Sequence, residues 1–211
     1  MRRPPTIGEP QATPRSRTNG AEANARLTGS SAALLLVLLA AEGLTIPFIH
    51  GLLTPHVVIG MILVPPVLVK LSSTGYRFAR YYTGKRAYVE KGPPPALLRL
   101  LAPFLVVLTL VLFASGIALM YSSGQLRSNL QLLHKASFVL WFGAMTIHVL
   151  AHLRDTARLA PLDWYGKARR EVSGTGLRQW LLLVSIAVGV LLGILVAARI
   201  GVFVSHGGSS G

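Results

Sequence analysis

Two histidines fourteen residues apart, His134 and His148, are the first chemical signal in this chain. They lie in the run LHKASFVLWFGAMTIHVLAHL, which carries no charge between Lys135 and Arg154. Fourteen residues turn an α-helix through about 1400°, some 40° short of four turns, and rise about 21 Å. Both imidazoles therefore point the same way, one near each end of a membrane-length segment. Imidazole is an axial ligand of haem iron, and a six-coordinate electron-transfer haem takes its second ligand from another element. The pattern suits haem b, one group at the outer end with room for a second stacked towards the inner end.

His56 supplies the outer partner, because it opens its own apolar segment at the depth of His134. Gly60 follows one turn later on the same face and leaves room for a flat macrocycle near the backbone. Pro65 and Pro66 bend the same segment further in, which membrane helices tolerate. The competing reading makes His56 and His134 interfacial residues with their rings among the headgroups.

The inner end is less complete. His148 finds no second histidine at its depth on another segment, but Lys70 lies fourteen residues beyond His56 on a similar face. Lys70 is read in three ways: as a neutral ligand, as an ammonium snorkelling to the interface, or as the partner of a haem propionate. His152 is either an alternative ligand or an interfacial residue beside Arg154, and a His148/His152 metal pair needs ligands from elsewhere. Glu42 is the one acidic residue in its apolar stretch, read as a hydrogen-bonding group to an imidazole or hydroxyl ahead of a proton or quinol role. Ionisable groups inside a bilayer cost about 2.5–3.5 kcal/mol even on the gentler scales, so each is a functional candidate.

The elements that position these residues follow from composition and charge spacing. The chain has 211 residues, 52% of them hydrophobic and 13% charged, with a mean hydropathy of +0.54. Soluble domains carry about 25% charged residues, so a soluble enzyme is excluded. There is no cysteine, which excludes disulfides, iron–sulfur clusters and thiolate metal sites. Arg99 to Arg127 encloses 27 uncharged residues, Lys135 to Arg154 encloses 18, and Arg178 to Arg199 encloses 20. The stretch from Leu27 to Lys70 is too long for one span and breaks around Pro47, His50, Gly51 and Pro55. Since a bilayer core needs about 20 helical residues, the sequence predicts an all-α, integral membrane bundle. Its five transmembrane helices fall near 31–50, 55–79, 96–121, 132–154 and 178–203.

Twenty-one Lys and Arg against seven Asp and Glu give a formal charge of +14. Seventeen of the basic residues fall in the N-terminal tail and in the second and fourth loops, while only Arg127 and Lys135 fall on the other side. That asymmetry predicts a cytoplasmic N-terminus and an external C-terminus. It also excludes nucleic-acid binding, because the charge is divided among short loops on one face of a membrane. Residues 1–28 are expected to be a disordered basic cytoplasmic tail, 29–204 the five-helix domain, and 205–211 a flexible external tail. No cleaved signal peptide is expected, since almost thirty residues precede the first apolar run. Gly189, Gly193 and Ala197 form a small-residue stripe on the fifth segment, which implies close helix packing within the chain or in a homodimer.

Over roughly residues 31–155 the pattern resembles the bacterial b-type membrane cytochromes, the four-helix di-haem superfamily that includes hydrogenase and formate dehydrogenase cytochrome subunits. The likeness rests on His56 opening the second segment and on His134 and His148 in the fourth. It implies an outer haem on His56 and His134, His148 as one inner-haem ligand, and a bacterial plasma membrane location. The sequence departs from the family in having no histidine between Ser31 and Ala41, where the second inner ligand belongs, and in its fifth segment. The run LVPPVLVKLSSTGYRFARYYTGKRAYVEKGPPP also resembles a motif of small actinobacterial membrane proteins, a likeness that defines no function.

The resemblance implies a membrane cytochrome b, an electron-transport subunit moving electrons between quinol and a partner redox protein. No glycine-rich nucleotide motif marks a flavin or NAD(P)H module, so the oxidoreductase partner is a separate protein. Quinone is the other candidate cofactor. Two alternatives stand beside this reading: a haem-free accessory or anchor protein of a larger complex, and a small transporter using Glu42 and Lys70. The transporter is the weaker of the two because no internal repeat is present.

Overall fold

The computed structural model describes residues 14–90, 92, 96–165 and 172–207, with side chains between 20 and 200. Among the described residues every regular element is helical. The elements are α1 (Pro14–Thr45), α2 (Ile49–Tyr82), the short α3 (Arg86–Val89), α4 (Ala96–Leu119), α5 (Gly124–Leu159) and α6 (Thr175–Gly207). Two 3₁₀ turns, Ile46–Phe48 and Ala160–Asp163, follow α1 and α5. Four helical stretches, Gly20–Tyr82, Ala96–Leu119, Gly124–Asp163 and Thr175–Ile200, are long and apolar enough to cross a bilayer. Large apolar side chains such as Leu100 and Leu132 are exposed on their outer faces, as lipid contact requires.

The longest stretch folds back on itself. Asn24 Nδ2 donates to the Ser73 carbonyl at 3.1 Å, and Thr28 Oγ1 to Ser73 Oγ at 3.1 Å, so α1 and α2 lie antiparallel. The reversal falls at residues 46–52, where Pro47 sits in the 3₁₀ turn and Leu52 leaves helical geometry. Leu52 lies just before Pro55, whose missing N–H and ring break the ladder to Gly51. This is the break expected from the prolines and glycine.

Two helix layers result. In the first, α2 packs on α1 and on α6, with Gly189 and Gly193 seated against α2. A Cβ at Gly189 would lie 2.5 Å from the Ile62 carbonyl oxygen, and one at Gly193 3.1 Å from Val58 Cγ1. The small-residue stripe thus works inside the chain, and the face formed by these two glycines is covered by α2. In the second layer α4 pairs with α5 through Leu105, Leu108, Trp141 and Ala144. Trp141 Nε1 donates to Thr109 Oγ1 at 2.9 Å, which satisfies both groups in an apolar core. A tight turn joins these helices, with Gly124 at φ 56° and Arg127 Nη1 capping the Leu119 carbonyl at 3.3 Å.

The layers meet at the end of the bundle that carries the basic loops. A Cβ at Gly29 of α1 would lie 2.6 Å from Leu159 Cβ of α5, and Ser30 Oγ donates to the Ala160 carbonyl at 3.3 Å. Beside this contact Asp163, 1% exposed, receives two hydrogen bonds from the Arg178 guanidinium, with Oδ1···Nη2 at 2.7 Å. Arg26 Nη1 lies 3.6 Å from the same carboxylate.

That node corrects the expectation for the N-terminal tail. Residues 14–28 belong to α1, with Ala21 and Arg26 buried, because Arg26 is drawn onto Asp163 and Glu22. Residues 1–13 lie outside the described residues. At the other terminus α6 runs to Gly207, past the expected limit at 204, and residues 208–211 lie outside the described residues.

Candidate functional site

Between the layers runs a cavity of about 2320 Å³. Its walls repeat at seven residues, the spacing that returns a helix to nearly the same face. On α2 the stripe is His56, Leu63, Lys70 and Arg77; on α5 it is His134, Trp141, His148 and Asp155. Both helices run from the far end of the bundle towards the basic end, so the stripes face each other in register. Gly60 lines the same cavity, and a Cβ there would meet Glu42 Oε1 at 3.5 Å, an ordinary contact.

At the far end the rings of His56 and His134 stand 6.5 Å apart between centroids, with planes at 88°. Each ring is fixed through Nδ1. Thr45 Oγ1 donates to the Glu42 carbonyl at 2.6 Å, so it accepts from His56 Nδ1 at 2.9 Å. Glu42 Oε1 lies 3.0 Å from the same nitrogen. His134 Nδ1 lies 3.1 Å from the Leu112 carbonyl, which can only accept, and 3.0 Å from Ser115 Oγ, which itself donates to Leu112. Both rings therefore carry their proton on Nδ1 and keep the Nε2 lone pair for something else. On α4, Gly116 lets the His134 ring lie against the helix: a Cβ there would sit 3.1 Å from His134 Cε1.

At the basic end the structure brings Lys70, His148 and His152 to one part of the cavity wall. Lys70 Nζ donates to the Thr28 carbonyl at 2.9 Å, so its ammonium is anchored on α1. The His148 and His152 rings are 4.8 Å apart, and His148 Nδ1 is buried without a hydrogen-bond partner. Leu63 and Trp141, 2% and 8% exposed, stand between the two ends. His50 is exposed at the start of α2, away from this cavity wall.

The reading of Glu42 as a hydrogen-bonding partner of an imidazole matches its contact with His56. Sequence reasoning missed Thr45, Leu112, Ser115 and Gly116, which orient the two rings. A usable signal was present. Glu42 and His56 lie at nearly equal distances from the turn before α2, so that pair must meet in an antiparallel hairpin, whereas Ser115 and His134 lie unequally far from the α4–α5 turn and their meeting is not signalled this way.

Among the described residues no group of three or more His, Asp or Glu is placed to hold a bare metal ion. Two facing imidazoles do not amount to a complete protein-only metal centre, but they do match the demand of a macrocycle that brings its own equatorial nitrogens. No family model, curated protein or solved structure matches the chain.

Proposed function

We propose that this chain is a membrane cytochrome b that holds one haem b between His56 and His134. The observation that carries this reading is the pair of facing imidazoles with both Nδ1 atoms engaged. An imidazole nitrogen stands about 2 Å from a bound first-row metal, and the ring centre about 1.1 Å further. The 6.5 Å between ring centroids would leave room for one iron held by both side chains, and His56 and His134 would be the residues that hold it. Ligating histidines characteristically donate their other ring N–H to a carbonyl, carboxylate or hydroxyl, which fixes the tautomer and raises basicity. Leu112, Ser115, Thr45 and Glu42 are such partners.

Haem b would supply a one-electron couple at this position. The chain's own residues would hold it, orient both ligands and set its surroundings. Leu63 and Trp141 line the wall seven residues inward and would shield the site from water on that side. The cavity of about 2320 Å³ is larger than the roughly 300–1,000 Å³ of ordinary small-molecule sites, leaving space beside one macrocycle. His148 lacks a second ligand across the cavity, since Lys70 is engaged with Thr28, so a single haem is the reading we adopt.

In this reading α1, α2, α4, α5 and α6 are five spans of a bacterial plasma membrane protein with the N-terminus in the cytoplasm. The seventeen basic residues on one side against two on the other support that orientation. The protein would pass electrons between quinol and a partner redox protein.

The deciding measurement is an absorption spectrum of the detergent-purified protein from a haem-replete host, oxidised and then dithionite-reduced. A Soret band that sharpens on reduction, with a new α band, is expected. His56→Ala and His134→Ala should each remove it or convert it to a high-spin form. A colourless wild-type protein, or both variants with unchanged spectra, overturns the assignment.

A further inference from the structure

The basic end of the cavity is chemically unlike the histidine pair, from which Leu63 and Trp141 divide it. Lys70 and Arg77 lie seven residues apart on the lining stripe of α2, about 10 Å along the axis, and Arg99 joins them from α4. Arg77 and Arg99 have no carboxylate within ion-pair distance among the described residues. The acidic residues nearby are spent elsewhere: Asp163 on Arg178 and Arg26, Glu90 on Arg86. Asp155 alone remains on the wall against three cations. Lys70 uses one ammonium hydrogen on Thr28 and keeps two, and His152 lines the same level. Deeper, the lining turns apolar with Leu35, Leu39, Val67 and Met145.

We infer that this end of the cavity binds one anionic glycerophospholipid, with its phosphate on Arg77 and Arg99 and its ester carbonyls near Lys70 and His152. Three features select that occupant. Unpaired guanidiniums recognise phosphate through several N–H donors at once. The second tier of donors, further along the helix axis, lies on the side where the ester groups of a lipid sit relative to its phosphate. The apolar wall beyond it takes acyl chains, which a free phosphate does not have. Basic pockets between transmembrane helices at the basic face are known receptors for anionic headgroups. The inference goes beyond the haem reading and does not depend on it.

The test is native mass spectrometry of the full chain after exchange into detergent containing equal phosphatidylglycerol and phosphatidylcholine. Wild-type protein should retain one phosphatidylglycerol in preference to phosphatidylcholine by about tenfold or more. Arg77→Gln with Arg99→Gln should abolish the preference, while Arg80→Gln with Arg158→Gln, basic positions outside the cavity, should preserve it. A size-exclusion profile like that of wild type checks that each double variant is folded, and Lys70→Met gives an independent reading, with an expected partial loss. Millimolar inorganic phosphate should not displace the lipid. Equal retention of both lipids by wild type, equal losses in the two double variants, displacement by phosphate alone, or a quinone or second haem at this end in place of the lipid would each overturn the proposal.

Discussion

His56 and His134 face each other across the bundle with planes at 88°, and neither ring is free to turn. One is held by the C-terminal end of α1 and the other by the last turns of α4, so each imidazole of the pair is oriented by the helix adjacent to it in sequence. Two antiparallel hairpins, α1–α2 and α4–α5, thus each deliver one finished imidazole to the space between them.

The first prediction concerns the groups behind the rings. Thr45→Val and Ser115→Ala should each weaken haem retention by about ten- to a hundredfold, the usual cost of losing a partner that orients a ligand. Dilution of the purified protein into apomyoglobin, followed by the transfer of the Soret absorbance, measures this. Because Leu112 still accepts from His134 Nδ1 and Glu42 Oε1 still stands 3.0 Å from His56 Nδ1, both losses should fall towards the lower end of that range.

The two glycines of the site should behave differently. At Gly116 a new Cβ would press on His134 Cε1 at 3.1 Å, so Gly116→Ala must displace the ring by a few tenths of an ångström. At Gly60 the nearest atom is Glu42 Oε1 at 3.5 Å, which is normal contact. Gly116→Ala should therefore alter the reduced spectrum and the midpoint potential, with Gly60→Ala close to wild type in both. Equal effects in potentiometric titration would mean that the macrocycle, and not the ring, is what these glycines accommodate.

Much of this arrangement was legible in the sequence. The long apolar helices follow from charge spacing, and the break between α1 and α2 from Pro47, Gly51 and Pro55. Pairings within the first hairpin were legible too once its turn was located, since Thr28 meets Lys70 and Glu42 meets His56 about the same point; Thr109 meets Trp141 out of step with the α4–α5 turn, which the sequence does not signal. What could not be read was contact between segments distant in the chain. Arg26 looked like one more cytoplasmic charge in a disordered tail, yet its guanidinium is buried against Asp163, 137 positions away. Charge patterning reports which side of a membrane a residue occupies; it carries no information about which opposite charge it will find there.

The buried node gives the third prediction. Asp163 is almost wholly removed from solvent and neutralises Arg178 through two hydrogen bonds, with Arg26 beside it. Asp163→Asn would leave the buried Arg178 guanidinium without its counter-charge and take one of two carboxylates from Arg26, and breaking a buried pair from one side costs about 3–5 kcal/mol. The expected result is a large fall in thermal midpoint in detergent, read by the intrinsic fluorescence of the tryptophans. Asp163→Glu, which keeps the charge, should recover part of the loss.

The last prediction tests how the first layer is held together. Helix–helix association in lipid depends on close packing and not on hydrophobic burial, and α6 approaches α2 so nearly that a Cβ at Gly189 would overlap the Ile62 carbonyl oxygen, 2.5 Å away. Backbone cannot rotate aside as a side chain can, so Gly189→Ala must push the two helices apart. Overpacking of this kind costs about 1–3 kcal/mol. At Gly193 the nearest atom is the side-chain carbon Val58 Cγ1 at 3.1 Å, which can shift, so Gly193→Ala should cost less. Thermal midpoints in detergent should fall in the order wild type, Gly193→Ala, Gly189→Ala, with the spectrum of any bound haem preserved in all three because, among the described residues, no hydrogen bond or ring contact to either imidazole comes from α6. A monomer–dimer shift in cross-linking for Gly189→Ala, without loss of midpoint, would instead mean that this glycine face serves a second copy of the chain.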